Sequence, residues 1–275
     1  MKPLMLVPIH TYPDGNSVRL ADQAVTIARH LDADVHALVI VADFPPVANA
    51  LGNMILDVPA MIGEAKEKCR ERGTAVVKAL STQLGPALRI TRIECVPGAV
   101  GDVVNGFARY HDLVLAGIAG TDVTLRATAE AVIFGAGRPT LVVEESSPVA
   151  APEHVLIAWD GSRVAARAVA DAREFLQRAH SVTIASVTDE KVLPQDDPGR
   201  RLADYLARHD IKATVALVEG RGRPIAQTLQ EEAREIGAGM IVMGGFGHSR
   251  LRDFVLGGAT RGILEDLQLP ALLSH

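Results

Sequence analysis

The stretch Met240-Ile-Val-Met-Gly-Gly-Phe-Gly-His-Ser-Arg-Leu-Arg-Asp-Phe-Val-Leu-Gly-Gly-Ala-Thr-Arg-Gly-Ile-Leu264 decides how the rest of the chain is read. Met240 to Met243 is an apolar run short enough for a buried strand, and it empties directly into glycines. The glycines are spaced Gly244-x2-Gly247-x9-Gly257, followed by Gly258, Ala259, Thr260 and a helical pattern through Ile263 and Leu264. A glycine at such a point removes the Cβ that would keep backbone N–H groups away from a ligand. The second glycine pair opens a helix, whose unpaired first-turn amides and positive dipole end attract phosphate. The spacing is not that of a dinucleotide-binding fingerprint, and no Gly-Lys-Ser/Thr of a P-loop is present. Spacing alone leaves a ligand-free strand-to-helix turn as open as a phosphate loop.

Composition narrows the rest. The 275 residues are 48% hydrophobic but only 4% aromatic, so alanine, valine and leucine fill the core. That suits buried parallel strands covered by small-faced helices. A formal net charge of −5 without a basic block argues against a nucleic-acid partner. No apolar run reaches the roughly 20 residues that span a bilayer, and the amino-terminal apolar stretch reads as a strand rather than a signal. Cys69 and Cys95 form no Cys-x-x-Cys pair and read as small buried hydrophobes in a reducing compartment, so a cytoplasmic location is expected.

Working outward, strand and helix patterns alternate along the whole chain. Leu4 to Ile9, Ala37 to Ala42, Ile90 to Val96, Leu113 to Ala116 and Thr140 to Glu144 read as strands of a first set, with helical periodicity between them. Residues 145 to 153, Glu-Ser-Ser-Pro-Val-Ala-Ala-Pro-Glu, have no periodicity and read as a linker. Val155 to Trp159, Val182 to Val187, Ala213 to Val218, Met240 to Met243 and Ala271 to Ser274 then repeat the order. Asp112-Leu-Val-Leu-Ala-Gly117 parallels Gly239-Met-Ile-Val-Met-Gly244, and Arg138-Pro-Thr-Leu-Val-Val143 parallels Leu269-Pro-Ala-Leu-Leu-Ser274. The expectation is an α/β chain of two tandem, doubly wound parallel-sheet domains, residues 1–147 and 152–275.

The glycine motif, together with Asp160 at the end of the strand that opens the second half, resembles the universal stress protein family, and the order of elements is similar to it throughout. The resemblance implies a Rossmann-like fold akin to the adenine nucleotide alpha hydrolases. It also implies an adenine nucleotide, ATP above all, with Mg²⁺ left open as its companion. On that resemblance Asp160 contacts the nucleotide, and Ala158, Trp159 and, more loosely, Val187 enclose the adenosine. Met243, Gly244, Gly247, Gly257, Gly258, Ala259 and Thr260 then form the phosphate loop. ATP-binding members usually place Ser or Thr where this chain has Gly258, which removes one hydroxyl donor worth roughly 1 kcal/mol net. The family's sheets associate through their last strands, so Thr140 to Glu144 is expected to pair with Ala271 to Ser274 inside the chain; a homodimer is left open.

The halves differ in their chemistry. His10 stands in the first where Asp160 stands in the second. Gly117 and Gly120 keep the short glycine spacing, but Glu130 occupies the place of the third glycine, and a carboxylate there repels phosphate. Nucleotide is therefore expected in the second half only. His248 and Asp253 beside the loop, and Arg221 and Arg223, are weaker candidates that a solvated surface also explains. A nucleotide-binding regulatory module is the leading reading; a slow ATP hydrolase and a ligand-free interaction scaffold remain as alternatives.

Overall fold

The computed structural model describes residues 2–44, 57–120, 122–148, 150–189, 198–245 and 258–275. Among them ten strands form one sheet in the order β3-β2-β1-β4-β5-β10-β9-β6-β7-β8. In the first half these are β1 (Leu4–His10), β2 (Asp34–Ala42), β3 (Leu88–Cys95), β4 (Leu113–Ile118) and β5 (Thr140–Glu144). In the second they are β6 (His154–Ala158), β7 (Ser181–Val187), β8 (Ala213–Val218), β9 (Met240–Gly244) and β10 (Ala271–Ser274). Each half is wound in the same sense, outward from its first strand and then back to the junction. Every pairing is parallel except the junction, where β10 runs antiparallel to β5 with Leu272 opposite Leu141. That junction seals two edges that would otherwise present unpaired backbone groups.

The described helices are α1 (Arg19–Leu31), α2 (Val58–Leu84), α3 (Val100–Ala108) and α4 (Val123–Gly135) in the first half. The second half has α5 (Arg163–Asp171), α6 (Arg173–Arg178), α7 (Pro198–Ala207), α8 (Ile225–Glu235) and α9 (Gly258–Glu265). Parallel strands need a crossover each time, and these helices supply it. In α1 the apolar positions recur at helical spacing, so Leu20, Ala24, Ile27, Ala28 and Leu31 are all buried. One apolar cluster runs across both halves, joining α1 and α2 to α5 and α6. Cys69 is buried within it, and Cys95 is half-buried at the end of β3. No helix among the described residues is long and apolar enough to cross a membrane.

Near the amino ends of the strands each half is braced by a buried polar chain. In the first, Thr91 Oγ1 lies 2.8 Å from His36 Nε2, and His36 Nδ1 lies 2.8 Å from His111 Nε2. His111 Nδ1 reaches the Phe107 carbonyl at 2.9 Å. A carbonyl only accepts, so His111 carries a proton on Nδ1; burial favours neutral rings, and with both neutral His36 donates from Nδ1 to His111 Nε2. The second half carries Thr183 at the register of His36, and His154 donates from Nδ1 to the Ile236 carbonyl at 3.0 Å. The sequence pattern starts β2 at Ala37, but the strand begins at Asp34, because His36 is buried through these partners.

Candidate functional site

The site is built where β6 and β9 end, side by side at the centre of the second half. Val155 to Ile157 of β6 pair with Met240 to Val242 of β9. Past Ala158 the Trp159 N–H still donates to the Ala185 carbonyl at 2.8 Å, while buried Ser186 donates its hydroxyl to the Trp159 carbonyl at 2.8 Å. The chain then turns through Gly161, whose φ of +72° suits glycine. Asp160 shapes that turn, one carboxylate oxygen accepting the Ser162 N–H at 2.9 Å. Ser162 in turn caps α5, accepting the Ala165 N–H at 3.2 Å. Ala158, Trp159 and Asp160 are all half-buried.

Gly244 meets this turn directly. A Cβ on it would lie 2.7 Å from the Ala165 backbone nitrogen and 2.7 Å from Val164 Cγ2. Only glycine lets the end of β9 pack against the first turn of α5, and this contact is what brings Asp160 and Gly244 to one place. Met243 before it is buried. Val187 closes β7 opposite Val218, and beyond it Asp189 accepts the Gly220 and Arg221 N–H groups at 2.6 and 2.7 Å. Those two donors hold the Asp189 carboxyl below its ordinary range. Arg223 is tied to Glu231 and to the Gly220 carbonyl, and Arg221 stands near Glu219.

On the far side of the motif, α9 opens with Gly258, Ala259 and Thr260. Gly258 has φ outside the left-handed range, and a Cβ there would meet nothing within 4 Å among the described residues. Thr260 is buried and Ala259 half-buried. Gly247 and Gly257, with His248 and Asp253, lie outside the described residues. At the motif's first root the Gly245 N–H donates to the Ser274 carbonyl at 2.7 Å, and His275 Nδ1 donates to the Gly245 carbonyl at 3.0 Å. The space of a Gly245 Cβ is taken by Ile133 Cγ2 of α4, 2.8 Å away, so the first half packs on the root of the second half's motif. Sequence reasoning missed this contact, because spacing along the chain carries no trace of it. The described residues contain no cluster of three or more His, Cys, Asp or Glu side chains suited to a metal ion.

The matching place in the first half is filled by the protein itself. His10 ends β1, is buried, and has its ring pKa lowered by burial to about 4. Its N–H donates to Asn16 Oδ1 at 2.7 Å, and the Asn16 N–H returns to the His10 carbonyl at 2.9 Å. Asn16 Nδ2 reaches Glu145 Oε1 at 2.5 Å, and the Ser17 N–H reaches Glu145 Oε2 at 2.7 Å. A Cβ on Gly117 would lie 2.7 Å from Glu145 Oε1. The linker reading of Glu145 therefore fails, since the residue is 3% exposed and continues the pairing with an N–H to the Ile118 carbonyl at 2.9 Å. Glu130, the residue suspected of repelling phosphate, lies inside α4 rather than at a helix mouth. It is near Arg126, Arg261 and Glu265, and burial raises its carboxyl pKa.

Residues 152–275 match the sequence profile of the universal stress protein family. The whole chain is similar in structure to a universal stress protein from Archaeoglobus fulgidus DSM 4304, with 17% identity and a TM-score of 0.73, covering 100% of this chain and 96% of that one. A candidate universal stress protein from Pseudomonas aeruginosa UCBPP-PA14 is similar at 14% identity and a TM-score of 0.58, covering 99% and 92%. At such identities the likeness is one of fold, and it spans both halves. Comparison with curated proteins gave no match.

Proposed function

We propose, from the match of residues 152–275 to the universal stress protein family, that this half binds ATP or a related adenine nucleotide and acts as a regulatory binding module. The observation that carries the reading is the junction of Gly244 with the Asp160 turn. A strand end stripped of Cβ and a half-buried carboxylate share the carboxyl edge of a parallel sheet, where open α/β folds take their ligands. The opening of α9 at Gly258 to Thr260 offers first-turn amides, with clear space at Gly258 among the described residues. Adenosine sits against Ala158, Trp159 and Val187, Asp160 accepts from the ribose, and phosphates lie toward Gly244, Gly247 and Gly257 to Thr260.

Residues 1–147 act as a domain of the same plan without the ligand, in a protein working in the cytoplasm. Binding is favoured over hydrolysis because Asp160 already spends one carboxylate oxygen on Ser162 and has no acidic cluster beside it among the described residues. The test is acid extraction of the purified chain followed by chromatography, and separately titration with labelled ATP. Retained or saturable adenine nucleotide supports the reading; a chain that neither carries nor takes up nucleotide overturns it. Phosphate released steadily with time replaces the regulatory reading by the hydrolase.

A further inference from the structure

Two close approaches seat α4 on the body of the first half. A Cβ on Gly101 of α3 would lie 2.8 Å from Ala131 Cβ, and a Cβ on Gly135 would collide with the Asn105 amide. Asn105 Nδ2 also donates to the Ala131 carbonyl at 3.3 Å. Helices that approach this closely pack as a solid, so α4 is held in place by α3.

Beyond that seat α4 meets Gly245, the buried residue that follows Gly244 out of β9. The Gly245 N–H donates to the Ser274 carbonyl at 2.7 Å, and the Gly245 carbonyl accepts from His275 Nδ1 at 3.0 Å. Ile133 Cγ2 stands 2.8 Å from the place of a Gly245 Cβ. Phe134, the next residue of α4, sets its ring edge-on to His275 with centroids 5.2 Å apart. Successive residues of a first-half helix thus fix one residue of the second half, Ile133 directly and Phe134 through His275. The same helix borders the far root of the glycine motif. Ile133 shares an apolar cluster with Met243 of β9 and with Ile263 and Leu264 of α9, and Glu130 lies near Arg261 and Glu265 of α9.

We propose, resting on the reading that the second half binds nucleotide, that α4 is the strut that sets the strand end of its site. Ile133, supported by Phe134, is a positioning residue that tunes nucleotide affinity without touching nucleotide. A strand end fixed in advance binds more tightly than one that must be ordered on binding. The first half then contributes to binding with no ligand of its own, and a shift of α4 is felt at Gly244 and Gly245.

Full-length variants at Ile133 test it by calorimetric titration with ATP. Ile133→Leu keeps the side-chain volume but removes the methyl that stands at Gly245, and is expected to weaken binding roughly fivefold to tenfold. Ile133→Val keeps a methyl in that place while losing volume, and is expected to bind as the wild type does. Val76→Ala truncates a buried residue of α2 outside that cluster; it is expected to lower Tm and leave affinity unchanged. Wild-type affinity in Ile133→Leu, or an equal loss in Val76→Ala, overturns the positioning role. Should Ile133→Leu fail to fold, Phe134→Ala takes its place, with weaker binding expected and wild-type affinity contradicting the role. A wild type that takes up no ATP overturns the nucleotide reading and this role with it. A wild type that binds beside an Ile133→Leu protein that binds equally overturns the role alone.

Discussion

Gly117 and Gly244 end the same strand in the two halves, and each has its Cβ space occupied, but by different things. Against Gly244 stand the backbone of Ala165 and the side chain of Val164, so α5 sits flush on the strand end. Against Gly117 stand the Glu145 carboxylate, Leu20 of α1 and Asn16, all side chains and no backbone. A duplicated fold has thus kept its scaffold and changed what lies between strand end and helix. One half leaves Asp160 half-buried in the turn before α5; the other has His10 buried, its backbone bonded to Asn16. A ligand site in this architecture is specified by a few contacts at the strand ends, while the sheet beneath is indifferent to it.

The largest effect that sharpens the contrast is on stability. Gly244→Ala places a methyl against backbone that cannot move aside, and should cost about 3 kcal/mol. Gly117→Ala meets side chains that can yield, and should cost about 1 kcal/mol. Urea denaturation of both variants checks the order, and equal costs would erase the distinction. Next is affinity. Asp160→Ala removes a charged acceptor worth about 1.5–3 kcal/mol, a loss of roughly ten- to a hundredfold in nucleotide binding. His10→Ala at the matching position should leave affinity unchanged. Similar losses in the two variants would mean that the halves share the ligand.

Much of this was visible in the residues themselves. The strands declared themselves as apolar runs, and the glycine spacing marked the end of β9. The repeat of Asp112 to Gly117 in Gly239 to Gly244 implied two copies of one plan. What escaped were polar residues whose burial depends on distant partners. His36 hides the first turn of β2 because its partner, His111, lies 75 residues away. Glu145 looks like linker because its donors, Asn16 and Ser17, are 129 and 128 residues distant. Glu130 looked decisive only because chain spacing was taken for spatial equivalence.

The buried histidines offer a subtler asymmetry. Burial lowers the His36 ring to about 4, helped by His111 and Arg89, and lowers His111 as well, with Arg89 and Arg138 adding to burial and Asp112 and the Phe107 carbonyl opposing it. The unfolded chain therefore binds more protons than the folded one between about pH 6.5 and 4. Stability contributed by His36 is present above pH 6.5 and is lost as pH falls through that window, by up to about 1.4 kcal/mol per pH unit. His36→Gln should flatten the pH dependence of the unfolding midpoint in this range, whereas Thr183→Ser, at the same register in the second half, should not. An unchanged slope in His36→Gln would remove the histidine pair from the account.

The smallest expected effect is at Gly258. Its φ lies outside the left-handed range and a Cβ there meets nothing within 4 Å among the described residues, so serine fits these surroundings and supplies a hydroxyl at the start of α9. Gly258→Ser should tighten nucleotide binding by about 1 kcal/mol, somewhat less than tenfold, as read by calorimetric titration. Weaker binding would place this glycine in the service of the backbone after all.

The asymmetry of the two halves is tested most directly by the stoichiometry of nucleotide binding to the intact, nucleotide-stripped chain, measured by calorimetry at saturating ATP. The account predicts one nucleotide per chain, held by the half that carries Asp160 and Gly244. Two nucleotides per chain would contradict it, because the place filled by Asn16 and Glu145 would then be open.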